Sequence, residues 1–208
     1  MKLGISNLEK ITYPHTKLRL QRRVINDIDT LLKNIRKQAD KGIHLGAGSS
    51  KIPDLINCDL YNSDADVKAD ATNLEIFDDG SIDLIESHHM IEHLSFADTD
   101  IALAEWNRVL SNSGLLVLTY PDITAISVKW LKYSLVYPLY PRPKRLDYIV
   151  EMLVGSQEHE GMFHKNVFDI RRMSRILLKH GFKVEFTYCR YPRRPTPSRL
   201  VVARKINS

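Results

Sequence analysis

The sequence predicts an α/β domain, in which strands and helices alternate, and two short strands near residue 50 carry the prediction. The first is the apolar run Ile43–Leu45, which ends at a glycine turn, Gly46–Gly48. The second is Leu55–Cys58, which ends at Asp59. Glycine tolerates positive φ angles and lets a ligand approach the backbone closely. A carboxylate at the tip of the next strand can accept hydrogen bonds from a ribose diol. The two strands therefore predict a domain that binds a nucleoside.

The same stretch excludes two common nucleotide sites. A dinucleotide fingerprint needs a third glycine three residues after the second, and Lys51 stands there. The acid of that fingerprint lies about 20 residues after its first glycine, whereas Asp59 follows Gly46 by 13. No Gly-Lys-Ser/Thr follows the turn, so the stretch is not a P-loop either.

Four motifs, taken in order, resemble those of the class I S-adenosylmethionine-dependent methyltransferases. They are Leu45–Gly48, Asp70–Leu74, Phe77–Ile85 with His89–Leu94, and Glu105–Gly114. The chain looks most like a small, largely uncharacterised group of these enzymes with a short connection between the first two strands. The resemblance covers about residues 41–122, and 155–204 more loosely. It implies a Rossmann-like, seven-stranded, mostly parallel sheet with an antiparallel last strand, helices on both faces, and S-adenosyl-L-methionine as cofactor.

The resemblance also implies which residues bind the cofactor. Asp59 would accept from the ribose, while Asp70 and the backbone N–H of Ala71 would bind the adenine. The alternative for Asp70 is a turn capped through Thr72. The loop after the predicted strand Ile82–Ile85 would face the methionine part. The full set is Leu45, Gly46, Ala47, Gly48, Asp59, Leu60, Asp70, Ala71, Ser87 and His88.

His89, Glu92 and His93 raise the question of a metal. Some methyltransferases carry Glu-x-x-Glu-His at this place and bind a divalent ion, and this sequence has His89 where they have the first Glu. Glu-His is also common here in relatives without a metal, where it packs and hydrogen-bonds locally. We favour this second interpretation and predict no metal site. If a metal were bound, His159 or His164 would be the further ligand.

Three residues are candidates for chemistry on the methyl acceptor: His164, His89 and Tyr120. His164 precedes a predicted helix, and a neutral imidazole can take a proton from a hydroxyl. Its alternative role is to cap that helix or to fill the core. His89 lies in the loop that would face the transferring methyl. Tyr120 and Asp122 follow the predicted strand Leu115–Thr119 and should face the acceptor pocket. A base is needed only if the acceptor is a weak acid such as a hydroxyl.

The 208 residues fit one domain with an N-terminal arm and helix over residues 1–40 and an acceptor lid inserted at about 123–165. Apolar residues spaced by three and four predict a helix over Arg22–Gln38. Tyr13 or His15 of the arm could touch a ligand, although a surface arm is the simpler interpretation. The insertion is aromatic and basic, which suits an acceptor lid or a dimer contact. Contact with a membrane surface is a less favoured alternative.

The remaining elements are predicted from apolar patterns and turn residues. They are a short strand at Ala65–Ala69, a helix at Ala97–Leu110 broken by Gly114, a helix at Phe168–His180, and strands at Lys183–Cys189 and Arg199–Lys205. The connection from Ser49 to Pro53 is too short for the usual helix, so we expect one helical turn or an extended loop.

Composition limits the partners. The net charge is +5 and the excess is local, in residues 142–145, 171–175 and 190–199. We favour a solvated surface over an anionic acceptor as its explanation. Nucleic acid is not expected, because no aromatic series interleaves with the basic residues. We therefore expect a small-molecule acceptor as the partner. A homodimer is a second expectation.

Two cysteines cannot build a disulfide framework, and no signal peptide or apolar span is visible. We therefore expect the cytoplasm. Two alternative functions stay open: an enzyme that uses the cofactor for non-methyl chemistry, such as a cyclase or lyase, and a non-catalytic partner subunit.

Overall fold

The computed structural model describes residues 18–136, 143–158, 160–189 and 197–206. Its elements in chain order are α1 (Leu18–Gln38), β1 (Gly42–Leu45), β2 (Ile56–Asp59), β3 (Val67–Lys68), β4 (Ile82–His88), α2 (Phe96–Val109), β5 (Leu110–Pro121), α3 (Ile123–Val136), α4 (Pro143–Val154), α5 (Ile170–Lys179), β6 (Phe182–Cys189) and β7 (Ser198–Lys205). Short 3₁₀ turns lie at Ile91–His93 and Glu160–Met162. The predicted arm with Tyr13 and His15, and also His159, lie outside the described residues.

The seven strands form one sheet in the order β3-β2-β1-β4-β5-β7-β6. Strand β7 runs antiparallel to both of its neighbours, while the pairs β1–β2, β1–β4, β2–β3 and β4–β5 are parallel. This confirms the predicted topology. Because β1, β2, β4 and β5 are parallel, their carboxyl ends meet at one edge of the sheet, which is where ligands bind in open α/β sheets. We call it the carboxyl edge.

Helices cover both faces of the sheet, as predicted. On one face, α2 and α5 contribute Leu103, Trp106 and Leu177 to the main core. On the other face, α1 packs Ile28, Leu32 and Ile35 against Leu84 and Val117. Helix α1 begins at Leu18, one turn earlier than predicted. No described helix combines the length and apolar character that crossing a membrane requires.

A row of buried polar side chains lies between the sheet and α1. The Glu86 carboxylate in β4 is fully buried and accepts two hydrogen bonds from the Arg36 guanidinium, at 2.7 and 2.8 Å. It also contacts Nε2 of His88 at 3.0 Å, and Nδ1 of His88 contacts the Thr119 hydroxyl at 3.1 Å. Burial alone would raise the pKa of Glu86, but the bonds from His88 and Arg36 hold it below its ordinary value. Glu86 is therefore an ionised group inside the fold.

This row explains an error in the predicted end of β4. The sequence analysis ended this strand at Ile85, and the four residues that follow, Glu86–His89, are all polar. The strand instead continues to His88, since Glu86 and His88 find polar partners beneath α1. The polar residues Glu86 and His88 therefore belong to the strand because hydrogen bonds satisfy their side chains inside the fold.

The passage from α2 to β5 also differs from the prediction. Helix α2 begins with a capping box, in which Ser95 and Asp98 satisfy each other's backbone N–H groups. It ends at Val109, and β5 starts at once with Leu110, so Gly114 does not break the helix. Ile82 pairs with Leu110 and Leu84 with Leu115, so the residues around Gly114 form a bulge in β5. Gly114 is therefore part of this bulge and does not end the helix.

The other boundaries differ by a few residues. Strand β3 is shorter than predicted, β6 and β7 each begin one residue earlier, and α5 begins at Ile170 with Asp169 as its N-cap. The connection between β1 and β2 contains turns and no helix, which is the extended form of the two predicted. Cys58 and Cys189 both lie in strands and form no disulfide among the described residues.

Candidate active site

The glycine turn lies at the carboxyl edge, directly after β1. Gly46 and Gly48 have φ angles of +70° and +49°. The N–H groups of Gly46 and Ala47 both donate to the Cys58 carbonyl, at 2.9 and 3.1 Å, which fastens the turn to β2. A Cβ at Gly46 would lie 2.4 Å from Cγ of Met90, whereas one at Gly48 would meet nothing within 4 Å. The turn is therefore closed by Met90 at one end and open at Gly48.

Asp59 ends β2 with its carboxylate turned towards the glycine turn. It accepts from the N–H groups of Gly48, Tyr61 and Asn62, each at 2.8 Å. Burial alone would raise the pKa of Asp59, but these three bonds hold it below its ordinary value. A carboxylate offers about four acceptor positions, so it keeps capacity for a further donor. Asp59 thus shapes the turn and still presents a charged acceptor beside it.

The segment that follows β3 is held in place by α2. Trp106 is fully buried and its Nε1 donates to the Ala71 carbonyl at 2.9 Å. The Glu105 carboxylate accepts from the Leu74 N–H at 2.9 Å, and Arg108 donates to the Leu74 carbonyl at 3.1 Å. The motif that begins at Glu105 therefore serves to fix the loop that the resemblance assigns to adenine.

Asp70 takes the turn-capping role that was its alternative interpretation. Its Oδ1 accepts from both the N–H and the hydroxyl of Thr72, at 2.8 and 2.7 Å. The cap uses only Oδ1, so it does not conflict with a contact to adenine. Leu60, also assigned to the cofactor, is partly exposed beside Asp59.

Ser87 and His88 lie within β4 and not in a loop, so that part of the expectation was wrong. Ser87 pairs with Leu45 and Leu118 of the neighbouring strands. Its hydroxyl is buried and has no hydrogen-bond partner among the described residues. The chain leaves the sheet at His89, whose φ of +54° is unusual for a residue with a side chain. A contact between this strand end and the cofactor stays a prediction.

Beyond β4, three ligand-type side chains come together: Glu92, His93 and His164. One coordinating atom of each lies within 4.8 Å of the others. The rings of His93 and His164 meet edge to face, with centroids 4.8 Å apart. Burial lowers the pKa of His164, so its imidazole is neutral near pH 7. The sequence analysis named His164 as one possible further ligand beside Glu92 and His93, and the structure brings the three together across more than 70 positions.

His89 stands beside this cluster in a supporting position. Its Nδ1 contacts Oε1 of Glu92 at 3.1 Å, and its Nε2 contacts the Ser198 hydroxyl at 3.0 Å. Both ring nitrogens are therefore engaged within the protein. This arrangement favours a positioning role for His89 over the catalytic role that the sequence suggested.

Tyr120 and Asp122 were expected to face the acceptor pocket, but both are fully buried and neither lines the small cavities beside α3 and α4. Tyr120 is fully buried with its ring 5.6 Å from that of Phe168, and burial raises the pKa of its hydroxyl. Asp122 is fully buried as well; it accepts from the Ala125 N–H at the start of α3 and forms an ion pair with Arg199. The reason is that β5 continues to Pro121, which carries Tyr120 into the core.

Helices α3 and α4 lie over the same edge of the sheet. Ile126 and Ile149 are buried between them and the body of the domain. The chain that returns from α4 is fastened to the end of β4, because the N–H groups of Lys165 and Asn166 both donate to the Glu92 carbonyl, at 2.9 and 3.0 Å. A small cavity of about 10 Å³ lies beneath the helices, lined by Glu92, Pro121, Ile123, Ile126, Met152, Leu153, His164, Asn166 and Val167.

Residues 45–118 match a family described as methyltransferase domain. No curated protein matches the chain significantly. Among solved structures, a SAM-dependent methyltransferase of Methanosarcina mazei is similar with a TM-score of 0.58 and 16% identity, covering 81% of this chain and 93% of that one. A protein of Pyrococcus horikoshii OT3 has a TM-score of 0.57 and 17% identity, covering 97% and 100%. The magnesium protoporphyrin IX methyltransferase of Synechocystis PCC 6803, solved with bound SAH, has a TM-score of 0.55 and 13% identity, covering 97% and 94%.

The sheet order, the glycine turn followed by an acid, and the family match agree with one another. The chain has the fold of the class I S-adenosylmethionine-dependent methyltransferases, and its residues 45–118 match a methyltransferase-domain family. The family match and the SAH bound in the Synechocystis protein point to S-adenosyl-L-methionine as the cofactor to test against this site. The residues fit this group, because Gly48 leaves a space that a Cβ would fill and Asp59 places an ionised acceptor beside that space for a ribose.

The open side of Gly48 can be tested by one methyl group. We expect Gly48→Ala to weaken binding of S-adenosylhomocysteine about tenfold or more, or 1.4 kcal/mol, because its Cβ enters the space for the ligand. Calorimetry measures the affinity. Gly80→Ala is the matched control, since Gly80 also has a positive φ and an added Cβ would come no closer than 3.9 Å to its neighbours, in a turn away from the site. Equal losses of affinity in both variants would contradict the assignment.

Proposed function

We propose that the protein transfers the methyl group of S-adenosylmethionine to a small, polar or acidic acceptor bound beneath α3 and α4. The observation that carries this proposal is the meeting of two halves at the carboxyl edge. The glycine turn and Asp59 form the cofactor half. Helices α3 and α4, with the returning segment bonded to Glu92, form the acceptor half.

Methyl transfer mainly requires that the acceptor and the methyl group are held in line. When bound, the cofactor supplies a methyl group on a positively charged sulfur, which an attacking atom displaces in line with release of a neutral thioether. Holding the two reactants in line can supply about 7–11 kcal/mol of the barrier. Asp59 and the glycine turn would fix the nucleoside, and the segment between Asp70 and Leu74 would fix the adenine. Buried residues of α3 and α4 would exclude water from the acceptor.

His164 is the candidate group for a proton on the acceptor. It is neutral near pH 7, because burial lowers its pKa, and it lines the small cavity beneath α3 and α4. Its Nδ1 contacts the Met152 carbonyl at 3.1 Å, so the lone pair resides on Nε2. Tyr120, with a raised pKa and a buried hydroxyl, is a poor choice for this task.

The proposed acidic character of the acceptor rests on the surface charges of α3 and α4. Two arginines that contributed to the apparent basic excess have structural partners: Arg172 donates to Asn166, and Arg199 pairs with Asp122. Lys132 and Lys144 remain exposed on α3 and α4 and support an acidic acceptor. Arg190, Arg193 and Arg194 lie outside the described residues.

The proposal is tested by the products. The protein is incubated with methyl-labelled S-adenosylmethionine and a panel of polar and acidic metabolites, and mass spectrometry follows the label. A labelled acceptor together with S-adenosylhomocysteine supports methyl transfer. Cleavage of the cofactor without a methylated product indicates lyase or cyclase chemistry. Binding without any turnover across the panel indicates a partner subunit.

The lid can be tested once an acceptor is known. We expect replacement of residues 128–150 by a short Gly-Ser linker to leave S-adenosylhomocysteine binding unchanged, because the glycine turn and Asp59 lie outside it. Methyl transfer should fall sharply, because the acceptor loses its cover. Leu135→Ser, on the exposed side of α3, is the control and should leave both unchanged. Full activity in the replaced variant would make this region an oligomer or membrane contact.

A further inference from the structure

The cluster of Glu92, His93 and His164 has the composition of a metal site. Its three coordinating atoms lie within 4.8 Å of one another. Three ligands at about 2.1 Å from one ion lie roughly 3.4 Å apart in tetrahedral geometry. Side-chain movements of about 1 Å would close the difference, and His93 and His164 are only partly buried.

Both histidines already present the lone pair that a cation needs. Nδ1 of His93 lies 3.1 Å from the Phe163 carbonyl, and Nδ1 of His164 lies 3.1 Å from the Met152 carbonyl. A carbonyl only accepts, so in each neutral ring Nδ1 carries the proton and Nε2 keeps its lone pair. Histidines that bind metals almost always donate their other N–H to a carbonyl or carboxylate. The two rings are thus held in the tautomer of a ligand.

Glu92 supplies the observation that points most directly to a ligand. Its side chain is 2% exposed, and Oε1 contacts Nδ1 of His89. Oε2 is buried and has no hydrogen-bond partner among the described residues. A buried carboxylate oxygen without a partner is costly, and a cation between Glu92, His93 and His164 would remove that cost. His89, which the sequence placed among the ligands, instead orients Glu92 and is itself held by Ser198.

The ligand types select the kind of ion. Two imidazoles and one carboxylate suit divalent transition metals such as Zn²⁺, whereas Mg²⁺ and Ca²⁺ prefer oxygen ligands. The cavity of about 10 Å³ adjoins Glu92 and His164, which is about the room that one water needs. We infer that Glu92, His93 and His164 bind one divalent transition-metal ion, in contrast to the prediction of no metal site, with an open position towards the acceptor half of the site. Nε2 of His164 is then a ligand of the ion, so the proton-accepting role proposed for His164 applies to the protein without the ion.

The test measures the ion directly and needs no acceptor. Full-length protein is treated with a chelator and then titrated with Zn²⁺ by calorimetry and with Co²⁺ by visible absorption. We expect one ion per chain and a Co²⁺ spectrum of nitrogen and oxygen ligands without thiolate bands. Mg²⁺ should produce little heat. No Zn²⁺ or Co²⁺ binding, or a thiolate spectrum, overturns the inference even if every variant fails to fold.

Variants locate the ion. His93→Gln and His164→Gln should each abolish stoichiometric binding, and His89→Gln should weaken it about 10–100-fold, as expected of a residue that orients a ligand. His180→Gln is the matched control, because His180 pairs with Asp100 away from the cluster. Binding that survives His164→Gln places the ion elsewhere and overturns the inference. S-adenosylhomocysteine binding, measured in the same samples, separates this result from the proposed function, since the glycine turn does not include these residues.

Discussion

Replacing Arg36 with methionine should lower the free energy of unfolding by about 3 kcal/mol, at the lower end of the range for breaking a buried ion pair. The change leaves the fully buried Glu86 without its two-pronged partner. The loss is not larger, because the Arg36 side chain is 20% exposed and His88 still contacts Glu86. Urea unfolding followed by circular dichroism measures the effect.

The double variant Arg36→Met with Glu86→Gln is the control, because it removes the charge together with its partner and should recover much of the stability. The pH dependence has a defined sign. The folded pKa of Glu86 lies below its ordinary value of 4.5, so its contribution is present above that value and is lost as the pH falls through the folded pKa. The double variant should lose less stability on acidification than the natural protein. Equal acid sensitivity would contradict an ionised Glu86.

Replacing Asp59 with alanine should weaken binding of S-adenosylhomocysteine by about 1.5–3 kcal/mol, the value of a hydrogen bond to a charged group. The carboxylate lies 2.8 Å from the N–H of Gly48, at the open end of the glycine turn. Asp59→Asn separates two causes, because the amide oxygen can still accept from the chain while the charge is lost. Calorimetry measures the affinity of each variant.

Asp66→Asn is the matched control for Asp59. Asp66 also accepts from a backbone N–H, that of Asn57, but it pairs with Lys51 and does not touch the glycine turn. Its variant should bind S-adenosylhomocysteine normally. Unchanged affinity in the folded Asp59→Ala protein would remove the ribose assignment.

The glycine turn and the acid beside it could be predicted because their signals are local. A strand, a glycine turn and an acid lie within 17 residues, from Ile43 to Asp59. The turn needs positive φ angles, which favour glycine, and the strand needs apolar residues. Both requirements can therefore be recognised directly in the amino-acid sequence. The sheet order followed from the family resemblance, which spans the region where these local patterns are strongest.

The rest could not be predicted, because it depends on partners far apart in the chain. Arg36 and Glu86 lie 50 positions apart, and nothing near Glu86 shows that a strand can hold it. His93 and His164 meet only because the segment returning from α4 is bonded to the carbonyl of Glu92. The position of Tyr120 was predicted wrongly for the same reason, because β5 extends to Pro121 by pairing with β7, which is distant in sequence.

The fastening of the Ala71–Leu74 segment by Trp106, Glu105 and Arg108 has a consequence for how the enzyme can diversify. In the proposed function this segment holds the adenine, and its hydrogen bonds to α2 order it before any ligand arrives, so its ordering entropy would not oppose binding. The acceptor side is built from a separate helical pair, joined to the domain through few buried side chains such as Ile126 and Ile149. On the proposed function, we therefore expect substitutions in α3 and α4 to change which molecule is methylated while the affinity for the methyl donor stays constant.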